Sequence, residues 1–86
     1  MRIDTTARFD KRYRKLSKKL KEAAKEKETA FRADPFHPSL QTHKLHGKEQ
    51  DAWGFSVNHK YRIKFFFLTD TAVLFLDIGT HDEVYR

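Results

Sequence analysis

The spacing of apolar residues changes along this 86-residue chain, and the change sets the fold class. In the first part, apolar side chains recur every three or four residues, as on one face of an α-helix: Phe9, Tyr13, Leu16, Leu20, Ala24 and Phe31. From Trp53 onward, apolar side chains alternate with their neighbours, which is the period of a β-strand. The sequence therefore predicts helices first and a sheet second.

Local signals divide the helical part into two. Thr5 or Thr6 can cap a first helix, and Ser17 can cap a second one. The pair Asp34-Pro35 ends the helical region, because proline disfavours a helical conformation in the residue before it. We therefore expect a helix pair followed by a connecting loop.

Turn signals divide the second half into strands. Residues 58–60 predict a hairpin turn, because Asn58 tolerates a positive φ, and residues 69–71 predict a second turn. Residues 72–78 are almost all apolar, as in a strand covered on both faces. We expect one α+β domain over residues 1–86, with two N-terminal helices packed on one face of a twisted antiparallel sheet of three to four strands.

The open face of this sheet is predicted to carry Ser56, Asn58, Arg62 and Lys64. Arg62 lies in mid-strand, and its planar guanidinium fits a phosphate. A cross-strand salt bridge or a solvated face would also explain an arginine there. Lys64 follows two residues later, so two cations on one face favour binding of an anion.

Positive charge is concentrated in the helical part. The chain carries a net charge of +6, and the stretch from Arg8 to Lys27 holds ten Lys or Arg against three acids. Such a block suggests a nucleic acid, an acidic protein or a membrane surface as partner. A solvated helix face is the alternative.

Cysteine is absent, which excludes disulfides, thiolate catalysis and cysteine zinc sites and fits a reducing cytosol. The longest apolar run, residues 72–76, is too short to span a bilayer, and no secretory signal follows Met1. We therefore expect a cytoplasmic protein with no membrane partner.

All the histidines follow the helical part: His37, His43, His46, His59 and His81. Histidine suits acid–base work near neutral pH. His81 follows Gly79-Thr80 at the end of the last strand, on the open face, although a polar strand cap is the alternative. His43 and His46 could form a zinc pair, but no third-ligand motif accompanies them. We therefore expect neither a metal nor a cofactor.

These groups together suggest cleavage of RNA. RNA carries its own nucleophile, the 2′-hydroxyl, so a metal-free ribonuclease needs a base, a cation for the phosphate and an acid for the leaving oxygen. The candidates are Arg62 and Lys64 for the cation, His81 for the acid, and His43 or His46 for the base. Tyr85 could stack on a base or orient the phosphate.

The order of several stretches resembles the RelE/ParE toxin superfamily, especially its YafQ-like and YoeB-like branches. The stretches are residues 9–16, 34–40 and 43–47, Trp53 with residues 61–66, and residues 79–85. The resemblance implies two helices on a twisted antiparallel sheet. It also implies the toxin of a type II toxin–antitoxin system, silenced by a cognate antitoxin.

The resemblance further implies a site and a substrate. Ribonuclease members of the superfamily cut mRNA in the ribosomal A site without metal. By this resemblance, Arg62 matches an arginine that contacts the scissile phosphate, and His81 matches a histidine that serves as general acid. Tyr85 matches an aromatic residue of the site, and His43 matches a histidine found in the histidine-containing branches. The expected partners are mRNA on the ribosome, 16S ribosomal RNA and the antitoxin. We expect further RNA contacts from lysines: Lys18, Lys19, Lys21, Lys44 and Lys64.

Three alternatives stay open on the same fold. One is a ParE-like inhibitor of DNA gyrase, although such toxins generally lack the Arg, His and Tyr set. The second is a non-catalytic module that binds nucleic acid or antitoxin. The third is a toxin that has lost activity. The general base is also open, because the glutamate of YoeB-like members aligns with Ser39.

Overall fold

Three helices and five strands make up the computed structural model, which describes residues 1–46 and 51–85. The helices are α1 (Ala7–Arg14), α2 (Lys18–Ala33) and α3 (His81–Val84), with a 3-10 turn at Pro38–Leu40. The strands are β1 (Arg2–Thr5), β2 (His43–Lys44), β3 (Ala52–Ser56), β4 (Tyr61–Thr69) and β5 (Ala72–Thr80). They form one sheet in the order β1-β5-β4-β3-β2.

The predicted helix boundaries are confirmed. The Thr6 side chain accepts a hydrogen bond from the Phe9 N–H (3.1 Å), and the Ser17 side chain accepts one from the Leu20 N–H (3.2 Å). Each satisfies a backbone donor that the first helical turn leaves unpaired. After Ala33 the chain becomes extended at Asp34, as the following proline requires.

The helix pair covers one face of the sheet, as predicted. Phe31 of α2 is fully buried and stacks on Phe55 of β3 at 4.9 Å between ring centroids. Its ring also meets the edges of Phe65 in β4 (5.0 Å) and Phe75 in β5 (5.7 Å). Phe9 of α1 packs on Phe75 at 5.5 Å. The core is therefore an aromatic layer between the helices and the three central strands.

The sheet has more strands than predicted, and it is mixed rather than antiparallel. Before α1, β1 pairs in parallel with β5, with Arg2 opposite Ala72, so helices do not come first. The Thr6 N–H extends this pairing to the Phe75 carbonyl (3.1 Å). The four residues of β1 show no alternation in sequence, and only the long edge of β5 makes them a strand. At the other edge, β2 is two residues long.

Both predicted turns are confirmed, but the reason given for the first was wrong. Among the described residues other than glycine, a positive φ is found at Gln41 (51°) and not at Asn58. The Asn58 side chain instead accepts the N–H groups of Lys60 (2.9 Å) and Tyr61 (2.7 Å). Asn58 therefore belongs to the turn and not to the open face of the sheet.

None of the helices in residues 1–46 and 51–85 is both long and apolar enough to cross a membrane.

Candidate active site

The face of the sheet that α1 and α2 leave open carries two cross-strand rows of side chains. One row joins His43, Gly54, Lys64 and Asp77 in register across β2 to β5. The next row joins Ser56, Arg62 and Gly79. The residues between these rows point into the core, which places the cations Arg62 and Lys64 on the open face as predicted.

Helix α3 lies over this open face directly after β5. A capping box holds it at its start, because the Thr80 N–H donates to Glu83 Oε1 (2.8 Å) and the Glu83 N–H to Thr80 Oγ1 (3.4 Å). The Thr80 backbone hydrogen bond, the Thr80 side chain and the Arg12 charge hold the pKa of Glu83 below its ordinary value. Val84 is buried at its end. His81 is therefore the first residue of a helix, not the end of a strand.

Tyr85 fills a slot that exists because position 54 is glycine. A Cβ at Gly54 would collide with the Tyr85 hydroxyl and ring, so a larger residue in β3 would displace Tyr85. The hydroxyl is buried and has no hydrogen-bond partner among the described residues. This burial raises the pKa of Tyr85, while the positive charge of Arg62 opposes the shift. Tyr85 therefore presents its ring, not its hydroxyl, to the surface.

Two histidine rings flank the Tyr85 ring. The His81 ring meets it edge-on at 4.6 Å between centroids, and the His43 ring meets it edge-on at 6.0 Å. His81 is 70 % exposed, with Nδ1 3.7 Å from the Asp82 carboxylate. Two imidazoles far apart in sequence, one from β2 and one from α3, thus contact the same aromatic ring.

A hydrogen bond fixes the tautomer of His43. Its Nδ1 lies 3.0 Å from the Gln41 carbonyl oxygen, which only accepts, so Nδ1 carries the hydrogen. In the neutral ring, Nε2 then holds the lone pair. Gln41 has a left-handed backbone, and its side chain accepts a hydrogen bond from Ser56 Oγ (3.2 Å). His43 is therefore oriented as a proton acceptor.

Arg62 is anchored by one nitrogen. Its Nη1 donates to the Asn58 carbonyl (2.7 Å) and, at 3.5 Å, to the Tyr61 carbonyl. Both bonds hold the guanidinium beside the β3–β4 turn. The side chain is half-buried, and neither Nε nor Nη2 takes part in these bonds, so the N–H groups of both nitrogens can serve an anion.

The structure brings together four of the predicted site residues and separates the others from them. The rings of His43, His81 and Tyr85 meet, and Arg62 lies in the neighbouring cross-strand row of the same face, where its charge acts on Tyr85. His46 is exposed and has no contact with them among the described residues. Lys64 belongs to the row beside them, opposite Asp77. The other lysines lie on the opposite side, in the helix layer or beside Trp53: Lys18, Lys19, Lys21 and Lys44.

Sequence reasoning missed two residues of the site, Gln41 and Gly54. A glycine inside a strand does signal a close approach of another group, but not which group approaches. Gln41 carried no signal, because non-glycine residues seldom adopt a left-handed backbone.

Within residues 1–46 and 51–85, no three His, Asp or Glu side chains are grouped as metal ligands. A groove of about 360 Å³ opens between α1 and α2, with Ile63 and Phe75 at its floor. This groove faces away from the histidines, so the candidate site is an open surface.

Comparison with known proteins gives matches in structure. No protein-family model matches the sequence, and no curated protein does either. Among solved structures, the chain is similar to a YoeB/ParE toxin from Agrobacterium tumefaciens, with a TM-score of 0.79 at 13 % identity over 94 % of this chain and 99 % of that one. It is similar to YafQ from E. coli strain BL21(DE3), with a TM-score of 0.78 at 21 % identity over the whole of both chains. The chain has the RelE/ParE toxin fold.

A third similar structure contains a partner. It is the E. coli DinJ–YafQ toxin–antitoxin complex, matched with a TM-score of 0.74 at 19 % identity over 98 % of this chain and 96 % of that chain. The RelE/ParE resemblance predicted from the sequence is therefore confirmed for the fold. It extends over nearly the full length of each matched chain.

The buried Tyr85 hydroxyl gives a stability prediction. Because it lacks a partner, Tyr85→Phe should leave the free energy of unfolding unchanged or raise it by up to about 1 kcal/mol at pH 7. Because the pKa of Tyr85 is raised in the folded state, the unfolded chain loses the phenolic proton at a lower pH than the folded chain does. The contribution of Tyr85 to the free energy of unfolding is therefore lost as the pH rises above 10.0, the ordinary pKa of tyrosine. The alkaline loss of stability should therefore be smaller in the variant.

Urea unfolding at pH 7 and above pH 10 measures both effects. Tyr13→Phe is the matched control, because the Tyr13 hydroxyl bonds the Lys21 carbonyl (3.5 Å), and its loss should destabilise by about 0.5 kcal/mol. A loss of more than about 1 kcal/mol in Tyr85→Phe at pH 7 would contradict the unpartnered hydroxyl.

Proposed function

We propose that this protein is the toxin of a type II toxin–antitoxin system and acts as a ribosome-dependent endoribonuclease on mRNA. The observation that carries the proposal is that the His43 and His81 rings both meet the Tyr85 ring, with Arg62 in the neighbouring row of the same open face. These residues come from three elements and supply the base, cation and acid that cleavage by a 2′-hydroxyl requires.

His43 is the proposed general base. Its Nδ1–H is held by the Gln41 carbonyl, so Nε2 takes the proton from the 2′-hydroxyl as that oxygen attacks the phosphorus. His46 has no comparable partner among the described residues, which favours His43 of the two candidates left open by the sequence.

His81 is the proposed general acid, and Arg62 the phosphate ligand. As the 2′-oxygen bonds to phosphorus and forms a 2′,3′-cyclic phosphate, the bond to the 5′-oxygen breaks. In its protonated form, His81 gives its proton to that leaving oxygen. Arg62 directs its remaining donors to the non-bridging oxygens, whose negative charge grows in the transition state. Water then restores the two protonation states.

Tyr85 separates the two histidines and offers an aromatic surface. The two imidazoles meet the Tyr85 ring at centroid distances of 6.0 Å for His43 and 4.6 Å for His81, and in this proposal the phosphodiester binds across that ring. The exposed part of the Tyr85 ring can stack on a nucleotide base. No step of the proposed reaction is assigned to a metal or cofactor.

The basic helices supply a second, broader surface in this proposal. Lys18 and Lys19 are exposed at the start of α2, away from the histidines. They suit 16S ribosomal RNA rather than the cleaved strand, because phosphate contacts position a protein without reading sequence. An antitoxin with an acidic segment would offset the same charge. The match to the DinJ–YafQ toxin–antitoxin complex supports an antitoxin as partner.

Mapping the 5′ ends of mRNA on programmed ribosomes tests the proposal. We expect wild-type protein to create new ends in the A-site codon, with metal chelated as far as ribosome integrity permits, and His81→Ala to create none. Free mRNA of the same sequence shows whether the ribosome is needed.

Each outcome decides between functions. Cleavage by both wild type and His81→Ala would show that His81 is not needed in the mechanism. Cleavage of free mRNA at the same rate as ribosome-bound mRNA would show that the ribosome is not needed. No cleavage by either protein would contradict the nuclease, and a DNA gyrase supercoiling assay would then test the ParE-like alternative.

A further inference from the structure

Helix α3 is too short to hold itself in place. It has four residues, and helices shorter than about 12 residues are marginal without tertiary contacts. Yet it carries His81 at its first position, and Tyr85 follows its last residue. Whatever fixes α3 on the sheet therefore fixes two of the proposed site residues.

A chain of ion pairs runs from α1 across β5 to α3. Arg12 Nε lies 3.3 Å from Asp77 Oδ1, and Arg12 Nη1 lies 3.7 Å from Glu83 Oε2. The Asp77 side chain is 4 % exposed, and its other oxygen lies 3.4 Å from Arg8 Nε. A buried carboxylate costs several kcal/mol unless it is paired, so Asp77 holds Arg12 firmly.

Gly79 leaves room for the Arg12 and Glu83 side chains to approach each other over β5. A Cβ at Gly79 would lie 2.9 Å from Glu83 Oε1 and 3.1 Å from Arg12 Nη1, so a larger residue would push these two side chains from their present positions. Arg12 Nη1 is itself buried and makes no hydrogen bond among the described residues. The guanidinium therefore lies directly over the backbone of β5 and faces the carboxylate of α3.

We infer that Arg12 is a positioning residue, which sets the orientation of α3, and with it His81 and Tyr85, by bridging Asp77 of the sheet to Glu83 of the helix. Arg12 touches neither imidazole and acts through Glu83. This role extends the proposed function and rests on it for its catalytic meaning, but its geometric content can be tested without RNA.

Solution NMR of the whole protein tests the bridge. In Arg12→Gln, we expect weaker nuclear Overhauser effects between the Tyr85 ring and Gly54. We also expect about fivefold faster solvent exchange of the Tyr85 amide, which donates to the His81 carbonyl (3.0 Å). The Phe65 amide in the core should exchange as in wild type. Lys11→Gln removes the same charge from the exposed surface of α1 and should change neither signal.

A second variant separates the bridge from the fold. Glu83→Gln keeps an oxygen that can accept the Thr80 N–H, and it leaves the pair between Arg12 and Asp77 intact. If Arg12→Gln does not fold, the same loosening in folded Glu83→Gln supports the bridge. Wild-type signals in folded Arg12→Gln or Glu83→Gln, or equal loosening in Lys11→Gln, would overturn it.

The two proposals fail separately. Loosening of α3 in a protein that cleaves no mRNA would refute the nuclease and keep the bridge. Cleavage by a wild-type protein whose α3 is unaffected by either variant would keep the nuclease and refute the bridge.

Discussion

His81→Ala should lower the rate of mRNA cleavage by about a hundredfold or more and abolish growth arrest on expression, while the protein stays folded. The leaving 5′-oxygen is a poor leaving group unless it is protonated as the bond breaks. The His81 side chain is 70 % exposed, so its removal leaves no cavity. The loss should therefore appear in kcat and not in the thermal unfolding midpoint.

Single-turnover cleavage on programmed ribosomes measures the chemical step. His59→Ala is the matched control, because His59 is an exposed histidine of the β3–β4 turn and should leave the rate unchanged. Arg62→Ala should also lower the rate by about 10²–10³-fold, since the growing phosphate charge loses its cation. Normal growth arrest by both His81→Ala and Arg62→Ala would overturn the catalytic assignment.

The parts of the fold that could be predicted are those fixed by neighbours in sequence. Thr6 and Ser17 cap helices through residues three positions away, so both boundaries were visible in the sequence. The aromatic alternation in β4 likewise identified its buried face. In contrast, β1 becomes a strand only by pairing with residues about 70 positions later, so its own sequence does not predict a strand.

The site divides in the same way. Arg62 stood out because an apolar or neutral residue would cost less in mid-strand, and His81 because it follows the last strand on the predicted open face. The proposed choice of His43 over His46 depends on a left-handed Gln41, whose backbone carbonyl bonds one imidazole. The slot for Tyr85 depends on a glycine 31 positions earlier in the chain. Contacts between residues so far apart in the sequence are set by the fold, and the spacing of residues along the chain does not predict them.

Phe31→Ala should have the largest effect on stability. The ring is fully buried and contacts three other phenylalanine rings: Phe55, Phe65 and Phe75. Removing it deletes the contact that docks α2 on the sheet and leaves a cavity, at a cost of about 3–5 kcal/mol. Small domains have only about 5–15 kcal/mol in total. The variant should therefore be largely unfolded at 37 °C or melt well below wild type.

Phe36→Ala is the matched control for this experiment. Phe36 lies just after α2, is 55 % exposed and meets the rings of Trp53 and Phe67, so its truncation should cost about 1 kcal/mol or less. Urea unfolding followed by circular dichroism measures both variants. Equal costs would mean that α2 is not docked through Phe31. A large loss confined to Phe31→Ala would show that the aromatic layer supports the sheet whose other face carries the candidate site.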